Sequence, residues 1–127
     1  PKGVIMKQEM PAKRKTILMD IDGTIFYHKD NLYHMAKDVP VLLDGTIEKL
    51  LEWRAKEYYI VLTTARPEGC RSSTVEQLKN AGVFYDQLVM GLPAGPRVLI
   101  NDIKPDGTLT AEGINLVRNE GIYEVDV

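Results

Sequence analysis

Two short apolar runs separated by a segment of helical period constrain this chain most. The run Thr16–Met19 lies between charged residues and an Asp-Gly pair, as is typical of a strand buried on both faces. Apolar residues then recur with a helical period between residues 46 and 57, and Tyr58–Thr63 follows as a second buried strand. Strand, helix and strand in this order predict a right-handed parallel crossover. The predicted fold class is therefore α/β, with a mostly parallel central sheet in which Thr16–Met19 is a central strand.

The rest of the chain continues this alternation. We predict, in order, a helix through Val75, Leu78 and Ala81, a short strand near Leu88–Met90, a strong strand at Arg97–Asn101, a helix containing Ile114 and Val117, and a last strand at Tyr123–Val127. The connection Gly91–Pro96 is too short for a crossover helix, so one strand beside it is a short edge or a reversed piece. Between Ile25 and His34, alternating residues predict a small flap hairpin over the end of the first strand.

Length and composition limit the number of domains and the kinds of partner. With 127 residues, we expect one domain over residues 16–127, preceded by an extended lead-in over residues 1–15. A net charge of −2 gives no general attraction to nucleic acid, and no apolar run is long enough to span a membrane. One cysteine, Cys70, and no secretory pattern indicate a cytoplasmic protein.

Polar side chains follow three of the predicted strands. The first strand runs into Asp20-Ile21-Asp22-Gly23-Thr24, the second into Thr63-Thr64-Ala65-Arg66, and the strand from Arg97 into Asn101-Asp102. Ligands of parallel α/β sheets bind beyond the carboxyl ends of the strands. We therefore expect these three strand ends to converge on one site.

The first of these motifs can be compared with two other Asp-Gly-Thr strings in the same chain. Asp44–Thr46 and Asp106–Thr108 lack both the earlier aspartate and the apolar strand, and we interpret them as structural turns. A calcium loop is excluded for the first motif because Thr24 and Ile25 occupy its next ligand and glycine positions. The motif at Asp20 therefore indicates chemistry.

Two carboxylates two residues apart can divide the work of phosphoryl transfer. Ionised Asp20 is a usable nucleophile that would form a phospho-aspartate, and Asp22 would protonate the leaving oxygen and then deprotonate water. Acids packed around a phosphate need a cation, and Mg²⁺ bound by Asp20, Asp102 and a backbone carbonyl would supply it. Thr64 and the amides after Asp22 are available to donate to the phosphoryl oxygens.

These motifs resemble those of the haloacid dehalogenase superfamily. Asp20–Thr24 is similar to its first motif, Thr64 to its second, and Asn101-Asp102 to its acidic fourth. The resemblance implies a Rossmann-like three-layer sandwich, transfer through phospho-Asp20, and Mg²⁺ held by Asp20, the carbonyl of Asp22, and Asp102. An acid at Asp22 is typical of the phosphatase branch. The spacing leaves no room for the cap domain that many members carry.

The third-motif lysine of the superfamily is replaced here by Leu92. Lys104 and Arg97 are the candidates to supply the missing cation, and Lys104 is preferred because it follows Asp102 closely. We assign Asp20, Asp22, Thr64 and Lys104 to catalysis and Gly23, Thr24, Arg66 and Asn101 to substrate binding. Arg66 has a structural alternative, pairing with Glu68 or Asp86. The histidines of the flap, His28 and His34, are interpreted as exposed and unspecialised, and Trp53 as a packing residue.

The predicted function is magnesium-dependent hydrolysis of a phosphomonoester, on a sugar phosphate or another small phosphorylated metabolite. Two alternatives stay open: a non-catalytic binding or regulatory module, which Leu92 favours, and a polynucleotide 3′-phosphatase, which the acidic balance disfavours. We expect no membrane or nucleic-acid partner. We expect self-association, because a capless domain does not exclude water from its site alone.

Overall fold

A computed structural model describes residues 14–127 of the chain, so the predicted lead-in lies outside the described residues except for Arg14 and Lys15. The helices and strands, in chain order, are β1 (Thr16–Asp20), α1 (Leu32–Met35), α2 (Thr46–Ala55), β2 (Tyr59–Thr63), a 3-10 turn (Glu68–Cys70), α3 (Arg71–Asn80) and β3 (Gln87–Val89).

The three strands form one parallel sheet in the order β1-β2-β3. This confirms the predicted strand–helix–strand crossover, with α2 connecting β1 to β2 and α3 connecting β2 to β3. Asp20 is in register with Thr63, and Thr63 with Val89. The carboxyl ends of all three strands therefore meet at one edge of the sheet.

The core consists of apolar side chains from the sheet, its two crossover helices, the turn after β1 and the C-terminal segment. Each of these residues is at most 2 % exposed: Ile21, Ile25, Phe26, Leu50, Trp53, Ile60, Leu62, Leu78 and Ile122. Fully burying one such side chain contributes about 1.5–3 kcal/mol to folding, and burial in this core fixes the direction in which the strand ends point. Trp53 is a packing residue, as its place on α2 predicted.

The apolar sequence of β1 predicted a central strand, and this prediction is wrong. β1 lies at one side of the three-stranded sheet. Leu18, in the middle of the strand, is accordingly 54 % exposed. Within residues 14–127, β1 has a strand neighbour only on its β2 side. A run of apolar residues indicates that burial of both faces of a strand is favourable, but it does not determine whether the strand has a neighbouring strand on each side.

The predicted elements after residue 90 do not form. The segment Arg97–Asn101 is outside the sheet, and its Val98 and Ile100 are 82 % and 86 % exposed. A parallel crossover needs about a dozen residues, and the seven residues 90–96 do not carry the chain back to the start of a new parallel strand.

The helix around Ile114 and Val117 and the strand Tyr123–Val127 are absent for a related reason. Ile114 and Val117 are both exposed, so no apolar helix face packs against the core, and packing supplies most helical stability. In the last segment Ile122 is buried, and its N–H donates to the carbonyl of Asp44 rather than to a strand.

The predicted flap hairpin between Ile25 and His34 is also wrong. Residues 27–42 instead form a long excursion, here called the insert, whose base is closed by the antiparallel bridge between Phe26 and Leu42. Within it, Asn31 caps the short helix α1 by accepting from the His34 N–H. An asparagine at the N-cap, as at Asn31, favours the start of a helix over the continuation of a strand.

None of the helices in the described part of the chain is both long and apolar enough to cross a membrane.

Two glycines hold the C-terminal segment against the start of α2. Gly45, which caps α2, has φ +83°, and a Cβ added there would lie 2.6 Å from the backbone nitrogen of Tyr123. Gly121 has φ +85°, and a Cβ there would collide with the carbonyl oxygen of Asp44. Both positions require glycine, because the left-handed backbone and the close approach each exclude a side chain.

We expect Gly45→Ala to lower the free energy of unfolding by about 2 kcal/mol or more, from backbone strain combined with displacement of the segment at Tyr123. Chemical denaturation measures the change. Gly95→Ala is the matched control, since Gly95 has no positive φ and a Cβ there meets nothing within 4 Å. Its expected effect is within about 0.5 kcal/mol. Equal stabilities of the two variants would contradict the clamp.

Candidate functional site

Asp20 ends β1 and keeps contact with solvent at the carboxyl edge of the sheet. Partial burial of its carboxyl, with a smaller contribution from the negative charge of Asp22, raises the pKa of Asp20 above its ordinary value. The N–H of Ile21 and the positive charges of Arg97 and His28 act in the opposite direction. Asp20 is thus a solvent-accessible carboxylate in a partly desolvated and partly cationic setting.

The turn after Asp22 uses its own amides. The Gly23 N–H donates to the Phe26 carbonyl at 2.7 Å, and the Thr24 and Ile25 amides both donate to the Ile21 carbonyl. The prediction that amides after Asp22 donate to a phosphoryl group therefore does not hold for Gly23 and Thr24 in this conformation. The hydrogen bonds instead make the turn a rigid support for Asp20 and Asp22.

Asp22 forms a buried ion pair with Arg66. The Nε and Nη2 groups of Arg66 donate to the two carboxylate oxygens of Asp22, each at 2.8 Å. The side chains of Arg66 and Asp22 are 0 % and 4 % exposed. Two parallel bonds of this kind are the strongest arrangement open to these groups. Arg66 therefore pairs with Asp22 and not with Glu68 or Asp86, so the structural alternative named the wrong partner. Its role in substrate binding stays a prediction.

Helix α3 completes the environment of Arg66. Its Nη1 group donates to Thr74 Oγ1 at 3.0 Å and to Gln77 Oε1. The amide of Gln77 then donates through Nε2 to the carbonyls of Met35 and Asp38, at 2.8 and 2.6 Å. A continuous buried network thus connects the motif aspartate, helix α3 and the insert.

Thr64 lies where its motif predicted, directly after β2, and is 1 % exposed. Its N–H donates to the Val89 carbonyl at 2.9 Å, and its Oγ1 accepts from the Arg66 N–H at 3.0 Å. The carbonyl of Thr64 accepts from the Leu92 N–H. Thr64 therefore fixes the loops after β2 and β3, and its hydroxyl proton is the group left to donate to a ligand.

Of the two candidate cations, Arg97 is the one whose charge acts on the carboxyl of Asp20. The positive charge of Arg97 lowers the pKa of Asp20, whereas Lys104 makes no such contribution. Lys104 is exposed, and its N–H closes a turn by donating to the carbonyl of Thr108. A second arginine, Arg118, lies over the motif turn, where its Cγ would be 3.2 Å from a Cβ on Gly23.

His28 belongs to the site although its sequence context marked it as unspecialised. Asn119 holds its backbone from both sides: the His28 N–H donates to Oδ1 at 2.7 Å, and Nδ2 donates to the His28 carbonyl at 3.0 Å. The ring contacts the Asp30 carbonyl through Nε2 at 2.8 Å. Nδ1 is buried and has no hydrogen-bond partner among residues 14–127. His34, in contrast, pairs with Asp30 at the surface.

The predicted metal ligands lie in different local settings. Asp102 lies in an exposed segment where Thr110 Oγ1 donates to its carbonyl, and Asn101 Nδ2 donates to the carbonyl of Thr110. The Asp22 carboxylate is engaged by Arg66, whereas the predicted ligand from this residue is its backbone carbonyl. Residues 14–127 contain no cluster of three or more histidine, cysteine or acidic side chains placed to bind a metal. A set of Asp20, the Asp22 carbonyl and Asp102 has only two such side chains, and it stays a prediction.

Sequence reasoning missed three residues of this region: Gln77, Asn119 and Arg118. Gln77 follows Thr74 by three positions on a predicted helix, so both were expected on one face. Nothing in the sequence indicated that this face meets Arg66. Asn119 has φ +70°, a conformation that asparagine tolerates better than most residues, and the Asn-Glu-Gly string is a weak turn signal for it.

Comparison with known proteins gives one informative similarity. No protein-family model matches the chain, and no curated protein matches it. A chain in the solved structure described as "Structure of Pnkp1/Rnl/Hen1 complex" aligns with a TM-score of 0.51 and 19 % identity. The alignment covers 77 % of this chain and 35 % of the other, so this chain spans about a third of that protein's length. At this identity the similarity concerns the fold, a small α/β unit with a parallel sheet.

Proposed function

We propose that this chain is a phosphohydrolase of the haloacid dehalogenase type, a capless three-layer domain in which Asp20 is the nucleophile. The observation that supports this best is the placement of Asp20. It ends a parallel strand in register with Thr63, next to Thr64, is accessible to solvent, and is acted on by the charge of Arg97. An accessible carboxylate with such a cation is suited to attack a phosphoryl group whose charge the cation balances.

The reaction proceeds in two transfers. A carboxylate oxygen of Asp20 attacks phosphorus, the bond from phosphorus to the ester oxygen breaks, and that oxygen takes a proton to leave as an alcohol. Water then attacks phosphorus, loses a proton, and releases inorganic phosphate and the free carboxylate. We assign both proton transfers to Asp22, which gives a proton to the ester oxygen and later takes one from the attacking water. This requires Arg66 to release one of the two carboxylate oxygens that it holds.

Magnesium dependence belongs to this proposal as what the motifs imply: held by Asp20, the carbonyl of Asp22 and Asp102, Mg²⁺ would balance the charge of the phosphoryl group. The substrate we propose is a sugar phosphate or another small phosphorylated metabolite, and a second copy of the chain would cover the open site. A polynucleotide 3′-phosphate is the second candidate. The fold similarity to a chain of the Pnkp1/Rnl/Hen1 complex is the reason to include it among the substrates. A net charge of −2 argues against it.

We expect Asp20→Asn to lose turnover of an aryl phosphate by at least about 10³-fold, as removal of a nucleophile does. Wild-type turnover should need added Mg²⁺ and stop with a chelator. The variant should also melt at a higher temperature at pH 7. Because the pKa of Asp20 is raised by folding, its stability contribution decreases as pH rises through the unfolded and then the folded pKa. Asparagine removes that penalty.

Wild-type inactivity on a panel of phosphomonoesters that includes sugar phosphates and a 3′-phosphorylated oligonucleotide would contradict the proposal and favour the binding module. A lower melting temperature for Asp20→Asn would show that the charge of Asp20 stabilises the fold.

Asp22→Asn should behave in the opposite way in stability. It leaves the buried guanidinium of Arg66 with a neutral partner, and breaking a buried pair costs about 3–5 kcal/mol when one charge is left alone. Urea denaturation measures the loss. The double variant Asp22→Leu with Arg66→Met is the control and should recover part of the stability, because it removes both charges. A stable Asp22→Asn would mean that the pair is not buried in solution.

The cation at the site is tested by a matched pair of variants. We expect Arg97→Met to lower kcat by about 10- to 1000-fold, as the loss of one electrostatic donor does, and Lys104→Met to leave kcat close to that of the wild type. The physical reason is that the charge of Arg97 acts on Asp20 in the structure. The reverse result would restore the sequence-based assignment of Lys104.

A further inference from the structure

The amide of Gln77 has a fixed orientation inside the fold. Its Nε2 group donates to the carbonyls of Met35 and Asp38, and its Oε1 accepts from Arg66 Nη1. Carbonyl oxygens only accept and a guanidinium only donates, so the opposite orientation of the amide would lose all three bonds. Gln77 is 8 % exposed. Water therefore does not readily replace these bonds.

The two ends of this bridge belong to different parts of the site. One end is Arg66, which holds both oxygens of Asp22. The other is the middle of the insert, where Met35 and Ala36 are 2 % and 1 % exposed. The base of the insert is fixed separately, by hydrogen bonds from Tyr27 to Val41 and from Leu43 to Ile25. Gln77 therefore makes the polar contact between the middle of the insert and the Asp22–Arg66 ion pair.

The insert borders the nucleophile and presents a surface to solvent. His28, near its beginning, lies against the turn after Asp20, where its Cβ would be 3.7 Å from a Cβ on Gly23. Farther along, Tyr33, Val39 and Val41 are 54 %, 90 % and 60 % exposed, and the Lys37 ammonium lies 4.1 Å from the centre of the Tyr33 ring. Exposed apolar side chains and the Lys37 ammonium are available to contact the part of a substrate beyond its phosphate.

We propose that Gln77 is a positioning residue, which sets the place of the insert relative to Asp20 and Asp22 and so determines how tightly the non-phosphate part of the substrate binds. This rests on the proposed phosphohydrolase function. Gln77 itself touches neither substrate nor the reacting atoms. Its effect passes through the carbonyls of Met35 and Asp38, which no other side chain on α3 contacts by hydrogen bonding among residues 14–127.

Helix α3 offers variants that separate the two ends of the bridge. Gln77→Leu removes both ends. Gln77→Glu keeps an oxygen for Arg66 but turns a second oxygen toward the two carbonyls. Thr74→Val removes only a contact to Arg66. Glu76→Leu alters an exposed position next to Gln77 and is the control for the helix itself.

Hydrogen exchange measures the position of the insert without any need for turnover. The amides of residues 35–38 are bonded within the insert, to the carbonyls of Asn31, Leu32 and His34. We expect both Gln77 variants to speed exchange of these amides by about tenfold or more, with β2 unchanged. Thr74→Val and Glu76→Leu should leave them as in the wild type. Unchanged exchange in both Gln77 variants, or equal acceleration in β2, would overturn the proposal.

Kinetics provides the readout that a merely structural role would not move. On a substrate that the wild type hydrolyses, we expect Gln77→Leu to raise KM by about tenfold while kcat stays within about twofold, the pattern of lost binding outside the reacting group. A loss confined to kcat would place the effect on Asp22 and overturn the proposal. If the wild type hydrolyses no phosphomonoester, the proposed function fails, and the exchange result alone decides whether Gln77 positions the insert.

Discussion

The buried pair between Asp22 and Arg66 is the interaction on which the rest of the site depends. Removing both charges from water costs several kcal/mol per ion, so the pair persists only because every strong donor and acceptor around it is matched. Thr74 and Gln77 complete the guanidinium, and Gln77 in turn satisfies two carbonyls of the insert. The Arg66 guanidinium and Gln77 thus connect four parts of the chain: the segment after β1, the loop after β2, helix α3 and the insert.

The parts of the fold that follow from the sequence are those that local pattern determines. β1, α2, β2, α3 and β3 lie close to their predicted positions because each combines a clear apolar period with a short connection. The parallel order follows from the same alternation, since a strand, a helix and a strand have few ways to pack. The placement of Asp20 and Thr64 at neighbouring strand ends follows from the parallel order. To this extent the sequence predicted the candidate site before any coordinates.

The parts that do not follow depend on contacts between distant residues. Val98–Ile100 has the composition of a buried strand, but a strand forms only where a sheet edge is within reach of its connection. In the sequence Arg66 has the setting of a ligand-binding loop arginine. In the structure its Nε and Nη2 groups are bonded to Asp22, which lies 44 positions earlier in the chain. Asn119 and His28 are separated by 91 positions, and nothing in the sequence indicates that the side-chain amide of Asn119 bonds the backbone of His28. In each case the local pattern is correct about chemistry and silent about the partner.

The two motif aspartates have separate physical roles despite lying two positions apart. Asp20 keeps solvent access, and folding raises its pKa, so its charge is tolerated at a cost to stability, as is common for groups that react. Asp22 is buried and fully paired, so its charge is required by the fold. Strand alternation alone would place residues two positions apart on one face, so the difference arises because β1 ends at Asp20 and the chain turns before Gly23. A proton-transfer role for Asp22 must therefore act against a buried ion pair whose arginine is also held by Thr74 and Gln77.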